Sequence, residues 1–100
     1  LYNSWQYAHG GVVMTLLDVT MGSAARSSVP HAAGVVTVDM SVSFIAAGQG
    51  QLTVEGRVLR SGASIIFCEG EMRDEAGELV AKAMASFKVK RKVSPGETAN

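Results

Sequence analysis

The chain has 100 residues, of which 47% are hydrophobic and 18% are charged, and its formal net charge at pH 7 is zero. This length suits a single domain with a modest core, and the composition is too apolar for a disordered chain. A neutral chain has no overall field that would draw it to nucleic acid or to an anionic membrane. We therefore predict no nucleic-acid partner and no membrane partner, and the apolar composition favours burial of surface in an oligomer.

The cellular compartment is indicated only by a few features. The single cysteine, Cys68, excludes a disulfide within the chain and favours a reducing compartment. No signal peptide is recognisable, and the longest apolar run is too short to span a bilayer. We expect a cytoplasmic protein, with a few natural residues upstream of Leu1.

The first elements are a short extended segment and a long helix. Bulky side chains recur within residues 1–8, which predicts a short strand or an extended lead-in. Residues 12–26 then form a helix, because apolar residues recur at three- and four-residue spacing: Val13, Leu16, Leu17, Met21 and Ala24. Further small or apolar residues extend this surface nearly all the way round, so we predict a buried helix. It carries one acid, Asp18, in its middle.

From residue 35 the period changes to two, which is typical of strands. In the first of them one face holds Val36, Val38, Met40, Val42 and Phe44, and the other holds Thr37, Asp39, Ser41 and Ser43. A glycine-containing turn at 46–51 leads into a strand from Leu52, and a turn at 60–63 leads into a strand at 64–73. A polar turn at 74–78 precedes the last strand, 79–90. In these two strands the alternation puts Ile66, Cys68, Gly70 and Met72 on one face of the first, and Ala81, Ala83, Ala85, Phe87 and Val89 on one face of the second. Residues 1–93 are thus one domain, and 94–100 a flexible tail.

This order predicts an α+β domain with one helix against a sheet. Short turns make neighbouring strands antiparallel, so we expect the four long strands to form a meander. The sheet must curl round the helix, and small residues such as Gly56, Gly70 and Ala83 leave room for their close approach. An edge strand left over would pair with a second copy, which predicts a homodimer.

The chemistry is centred on the start of the helix. A helix N-terminus presents unpaired N–H groups, and Gly10 and Gly11 would let a developing oxyanion approach them. Asp18 is costly to bury unless it is paired, protonated or used. It lies two helical turns away, about 10 Å along the axis, so a partner chain would have to bring the two together. Thr37 could hold a water for the carboxylate, and Asn3 could donate to a carbonyl or to that water.

Together these residues resemble a known family. Asn3, His9-Gly10-Gly11, Leu17-Asp18 and the run Val36-Thr37-Val38-Asp39-Met40 look like the hotdog-fold acyl-CoA thioesterases of the phenylacetic-acid-degradation (PaaI) type. The resemblance covers residues 3 to 92, and Arg60-Ser61-Gly62 and the turn at Gly77 also fit it. Residues 3–8 lack the glycine often found between the asparagine and the histidine, and Thr37 stands where serine is common.

The resemblance implies a curved antiparallel sheet wrapped around one long buried helix. It also implies hydrolysis of an acyl- or aryl-acyl-CoA ester at composite sites of a homodimer, with dimers pairing further into a dimer of dimers. Asp18 would be the general base or nucleophile, and the amide of Gly10 would polarise the carbonyl. Asn3 and Thr37 would place substrate and water. CoA is part of the substrate, so no cofactor is expected.

Other residues have more than one interpretation. His9 either orients the loop or acts in catalysis, whereas His31 is expected to be exposed and Cys68 to be a buried hydrophobe. The two histidines are far apart and acids do not cluster, so no metal site is predicted. The basic residues Lys88, Lys90, Arg91 and Lys92 are either a solvated strand end or, with Arg57 and Arg60, a site for the phosphates of CoA. The predicted substrate-binding residues are Gly11, Arg60, Ser61, Gly62, Lys88 and Lys90. Two other functions stay open. One is a hotdog acyl-CoA-binding or structural subunit without turnover, and the other is a dehydratase, which would require a histidine as the base in place of this aspartate.

Overall fold

The structure is a computed structural model that describes residues 2–5 and 10–92, with side chains described from residue 13 onward. Within these residues the predicted order of elements is confirmed. The elements are β1 (Tyr2–Trp5), α1 (Gly10–Ser28), β2 (Gly34–Phe44), β3 (Leu52–Ser61), β4 (Ile65–Arg73) and β5 (Leu79–Lys90). Arg60 and Ser61, predicted to be in a turn, are the last residues of β3 instead. The predicted tail at 94–100 lies outside the described residues.

The helix α1 packs one side against the sheet. Leu17, Met21 and Ala25 have no exposed surface, whereas Val19 is 54% exposed and Ser23 is also exposed. The prediction of a helix buried on all sides is therefore wrong for the single chain, because the sheet covers only one side. The other side carries few charges and is open to a ligand or to another chain.

The order of strands in the sheet corrects the predicted meander. The five strands are antiparallel and lie in the order β1-β3-β4-β5-β2. Strands β3, β4 and β5 form the meander, but β2 pairs with β5 and not with β3. In the described part of the chain, β1 and β2 are the two edges of the sheet.

The segment between β2 and β3 crosses the end of the sheet instead of turning back. The amide groups of Ile45 and Ala46 donate to the carbonyl oxygen of Val80, 2.8 and 3.2 Å away, at the start of β5. Further along, the carbonyl oxygen of Gln49 accepts from the amide of Glu75, in the turn between β4 and β5. The seven residues 45–51 thus pass the ends of β5 and β4 before the chain enters β3.

The core lies between α1 and one face of the sheet. Ile66, Cys68 and Met72 of β4 and alternate residues of β5 from Ala81 to Phe87 face the helix, as their alternation predicted. The expected close approach is confirmed at Gly56 and Gly70. A Cβ atom at Gly70 would lie 3.1 Å from Cγ of Met21.

In β2 the predicted faces are only half right. Met40 and Val42 pack against the core as expected, but so does Val35, while Val36 is exposed. The reason is an irregularity in the pairing with β5 at Val38, which reverses the alternation. As a result Thr37 lies on the helix side of the sheet, and not with Asp39 on the other face.

No helix in the described residues is both long enough and apolar enough to cross a membrane.

Candidate active site

Asp18 and Thr37 form a hydrogen-bonded pair between the helix and the edge strand. The Oγ1 hydroxyl of Thr37 donates to Oδ1 of Asp18 across 2.8 Å. Asp18 is half-buried at the border between the covered and the open side of α1, and Thr37 is exposed. The carboxylate is therefore paired and still within reach of a ligand in solution. The predicted cost of a fully buried acid does not arise.

This pairing sharpens what the sequence predicted for Thr37. The alternation in the sequence predicts that Thr37 holds a water for the carboxylate from the polar face of its strand. It contacts the carboxylate directly instead, from the face that carries the core. A threonine hydroxyl has one proton to donate and two acceptor positions, so while it donates to Asp18 it can still accept a hydrogen bond from a water.

The open side of α1 continues the site with small and apolar groups. Val19, next to Asp18 in sequence, is exposed on the open side, and Gly22, one helical turn further on, is half-buried at its border with the sheet. A Cβ at Gly22 would meet the ring of Phe87 at 3.4 Å. The surface beside the carboxylate thus has no charged and no large side chain at Val19 and Gly22, which suits an apolar ligand more than an ionic one.

The glycines of the predicted oxyanion site start the helix. Gly10 is the first residue of α1, and Gly11 follows it, so their amides belong to the first turn, whose N–H groups have no partner within the helix. Asp18 lies eight residues further along the same helix, about 12 Å away at 1.5 Å per residue. One chain therefore does not bring the glycines and the carboxylate together. Asn3 lies in β1 opposite Val54 of β3, its side chain is not described, and His9 lies outside the described residues.

The five other predicted binding residues meet at one end of the sheet. Lys88 lies opposite Val36 and Lys90 opposite Gly34, at the start of β2. Arg60 and Ser61 end β3, and the amide of Gly62 donates to the carbonyl oxygen of Ile65 across 2.9 Å. The Ser61 hydroxyl also lies 3.5 Å from that of Ser28, at the end of α1. All five residues thus lie at one end of the sheet, apart from the helix N-terminus, but not on one face. Arg60, opposite exposed Phe67, lies with Lys88 and Lys90 on the face away from the helix, whereas Ser61, opposite buried Ile66, lies on the helix side.

Charge is distributed unevenly over the outer face of the sheet, the face away from the helix. In the half of this face that lies away from Arg60, Lys88 and Lys90, the charged residues are paired. Arg57 pairs with Glu55, Glu69 and Glu71, and Glu71 also pairs with Arg73 and Lys82. Among the described residues, none of these ion pairs involves Arg60, Lys88 or Lys90. The cations at the end of the sheet are therefore available to an anion.

Two other kinds of chemistry find no support in the described residues. No group of three or more His, Cys, Asp or Glu side chains there is placed to hold a metal ion. Cys68 is fully buried, and this burial raises the pKa of its thiol to about 11. A neutral buried thiol is a poor nucleophile, so Cys68 has the structural role that the sequence predicted. His31 is exposed, also as predicted.

Comparison with known proteins decides the family. The model of the thioesterase superfamily matches residues 6–81, which is most of the chain and includes Asp18 and Thr37. The chain belongs to the thioesterase superfamily.

Curated relatives of this thioesterase-superfamily chain are named as candidate esterases. One from Saccharolobus solfataricus is 39% identical over 84 residues, which cover 83% of this chain and 59% of the relative. Another, from Halobacterium salinarum, is 34% identical over 91 residues and is covered to 60%. The chain thus spans about three fifths of the length of these relatives.

Solved structures agree with the fold. A Bacillus halodurans protein crystallised with CoA superposes with a TM-score of 0.85 at 26% identity, over 92% of this chain and 68% of that one. A Haemophilus influenzae thioesterase reaches a TM-score of 0.86 at 16% identity, over 96% of this chain and 75% of the other. At that identity the second likeness concerns the fold alone. The predicted hotdog fold is thereby confirmed.

One feature of the site had no signal in the sequence. The apolar series that starts at Met40 continues backward through Val38 and Val36 without a break, and no glycine or proline marks the irregularity in β2. The direct contact of Thr37 with Asp18 therefore followed only from the strand pairing.

Proposed function

We propose that this protein hydrolyses an acyl- or aryl-acyl-CoA thioester to the free acid and CoA. The observation that supports this most is the Asp18–Thr37 pair, a solvent-accessible carboxylate oriented by a hydroxyl, in a chain of the thioesterase superfamily. The Bacillus halodurans relative crystallised with CoA supports CoA as the thiol part of the substrate. No cofactor is required, and the buried reduced Cys68 is consistent with a cytoplasmic location.

Asp18 would act on water or on the substrate itself. As a general base it takes a proton from water, whose oxygen attacks the carbonyl carbon; the C–S bond then breaks and the sulfur leaves as a thiolate that takes up the proton. As a nucleophile it forms an acyl-aspartyl anhydride, which water hydrolyses. In both routes Thr37 holds one carboxylate oxygen, which leaves the other free to react. A single turnover in ¹⁸O-water separates the routes, because only the anhydride route allows the label to enter the Asp18 carboxylate.

The oxyanion donors would come from a second copy of the chain. Gly10 and Asp18 lie too far apart on one helix to act on the same carbonyl, so we propose that Gly10 and Gly11 of each chain serve the Asp18 of its partner. Strand β2 is the natural contact, because it is an edge of the described sheet and carries exposed valines. A further pairing of dimers, and contributions of Asn3 and His9 to the site, complete the proposal.

At the other end of the substrate, Arg60, Lys88 and Lys90 would bind the CoA phosphates, with the Gly62 segment alongside. The Ser61 hydroxyl, on the helix side of the sheet next to that of Ser28, would contact a different part of the substrate. The uncharged surface at Val19 and Gly22 would face the acyl group. The ester that is accepted is to be found by experiment, with a panel that spans short, medium and long aliphatic chains and aryl-acyl groups.

The test measures release of free thiol from this panel by the purified protein. Asp18→Asn and Asp18→Ala should lower kcat about 10²- to 10⁴-fold while circular dichroism and the melting temperature stay close to wild type. The matched control is Glu78→Gln, which removes an exposed carboxylate in the turn between β4 and β5 and should leave the rate unchanged. Full activity in Asp18→Asn would contradict the proposed mechanism. Binding of CoA esters without any turnover would favour an acyl-CoA-binding subunit.

A further inference from the structure

Strand β2 contains one residue more than the stretch of β5 with which it pairs. Thr37 lies opposite Phe87 and Asp39 lies opposite Ser86. The two partners are consecutive in β5, so Val38 has no partner of its own. This is a β-bulge, with two residues of one strand facing a single position of the other.

The bulge divides β2 into two half-strands that alternate out of phase. In the second half, Met40 and Val42 lie opposite Ala85 and Ala83 and face the helix. In the first half, the residues that face the helix are Val35 and Thr37. If the second half simply continued as a regular strand, Val38 and Val36 would face the helix, and Thr37 would point away from Asp18.

Burial of apolar side chains does not explain the observed register. In the single chain Val36 is 45% exposed and Val38 is 58% exposed, while a threonine lies on the core side. A regular strand would put Val36 and Val38 toward the helix in place of Val35 and Thr37, so a valine would replace the threonine on the core side, which the hydrophobic effect favours. It would also add one position to the hydrogen-bonded ladder. A local conflict of this kind is expected where function sets the constraint, and bulges beside active sites commonly re-aim a side chain.

We propose that the bulge at Val38 is a positioning element for the reaction, whose role is to hold the first half of β2 in the phase that directs the Thr37 hydroxyl onto Asp18. The inference rests on the proposed function. In the regular register a valine methyl group would lie beside the carboxylate, and Oδ1 of Asp18 would lose the donor that orients it. Thr37 is then the residue that positions the catalytic acid, and Val38 is the spacer that sets its phase.

Four variants test whether the rate depends on which face of β2 carries the hydroxyl or only on the presence of a threonine in this strand. Thr37→Val removes the hydroxyl, and Val38→Thr is the control for a threonine at the bulge. The exchanged double variant, Thr37→Val with Val38→Thr, keeps the composition but moves the hydroxyl by one residue. Deletion of Val38 removes the bulge and leaves Thr37 opposite Phe87 and Asp39 opposite Ser86, in one regular strand. Each variant is measured for kcat and KM, and for cross-strand NMR contacts between residue 37 and Phe87.

We expect Thr37→Val and the exchanged variant to lose kcat to the same extent, about 10- to 100-fold, with KM within about twofold of wild type. Val38→Thr and the deletion variant should keep kcat within about threefold, since both retain the hydroxyl in phase. Because Val38 also lies on the proposed contact between two chains, kcat of every variant is compared at a concentration at which light scattering shows dimers. A fifth variant, Thr37→Ser, should keep most of the wild-type rate, because serine supplies the same hydroxyl donor.

The proposal is overturned if the exchanged variant is as active as wild type, since residue 38 would then be the one that faces Asp18. It is also overturned if the deletion variant keeps the contact with Phe87 but is as slow as Thr37→Val. The NMR contact reports the register whether or not any ester is hydrolysed. A wild-type protein with the bulged register and no turnover on any ester would therefore point to failure of the proposed function, and not of the register.

Discussion

Gly56 of β3 lies against the backbone of the helix at Thr20. A Cβ atom at Gly56 would be 2.9 Å from the carbonyl oxygen of Thr20 and 3.0 Å from the amide nitrogen of Met21. These are backbone atoms, which cannot rotate away as a side chain can. The distance between α1 and the sheet, and with it the place of Asp18 two residues before Thr20, thus depends on the absence of a side chain at this position.

We therefore expect Gly56→Ala to lower the free energy of unfolding by about 1–3 kcal/mol, because the helix must shift away from the sheet. The measurement is urea unfolding followed by circular dichroism, together with kcat, which should fall as Asp18 moves.

Two other glycines give a graded control for this prediction. Gly70→Ala should cost less, since the added Cβ meets the flexible side chains of Met21 and Leu17. Gly34→Ala has open space around its Cβ and should leave stability unchanged or raise it by up to about 1 kcal/mol. A Gly56→Ala protein as stable as wild type would contradict the close approach.

The sequence predicted the faces of β4 and β5 well, because their alternation of large and small or apolar and polar residues is regular from end to end. It did not predict that β2 lies beside β5, since seven residues at 45–51 suit a turn as well as a crossing. The bulge was missed for a different reason. Val36 and Val38 extend the apolar series of β2, so the pattern indicates the regular register, and only the pairing with β5 reveals the other one.

Cys68 should be unreactive in the folded protein. Burial raises the pKa of its thiol from 9.0 to about 11, so almost no thiolate is present at pH 8. A disulfide reagent should label it at least about 100-fold more slowly in the native protein than in urea. Cys68→Ser should retain turnover, and a folded Cys68→Ser protein without activity would contradict the structural role given to Cys68.

The same shift predicts a loss of stability in alkali. The unfolded thiol releases its proton at a lower pH than the folded one, so the free energy of unfolding should decrease as pH rises from about 9 to about 11. Below pH 9 the thiol is neutral in both states and this contribution is complete. Cys68→Ala should show a shallower decrease over this window. Lysines and tyrosines titrate in both proteins, so the difference between the two slopes belongs to the thiol.

Neutralisation of the basic end of the sheet should weaken the binding of CoA esters without changing the chemistry. Arg60→Gln, Lys88→Gln and Lys90→Gln should each raise KM for an acyl-CoA about two- to fivefold, with kcat unchanged, as expected for exposed charge pairs. The effect should shrink at high salt. An acyl ester of N-acetylcysteamine, which has no phosphate, should show no change in KM.

The control for this set is Lys82→Gln. Lys82 is exposed on the same strand but pairs with Glu71, in the other half of the outer face. If Lys82→Gln raises KM as much as Lys88→Gln does, the effect comes from the overall charge of the protein. The proposal that Arg60, Lys88 and Lys90 bind the CoA phosphates would then be wrong.

A composite site can be tested by mixing two inactive proteins. Asp18→Asn removes the acid, and Gly10→Pro removes an N–H donor at the first position of the helix, where proline is well tolerated. If Gly10 of one chain serves Asp18 of its partner, a mixed dimer contains one site in which both residues are intact. After unfolding and refolding together at equal amounts, half of the dimers are mixed and half of their sites are complete. We therefore expect about a quarter of the wild-type activity to return.

Each variant refolded alone is the control and should stay inactive. If both residues acted within one chain, mixing would restore nothing, since every site would lack one of them. Light scattering on the refolded mixture shows whether dimers have formed, so an absence of recovery in a dimeric sample counts against the shared site. A stable monomer that hydrolyses thioesters would contradict the two-chain arrangement directly, because α1 alone places Gly10 and Asp18 about 12 Å apart.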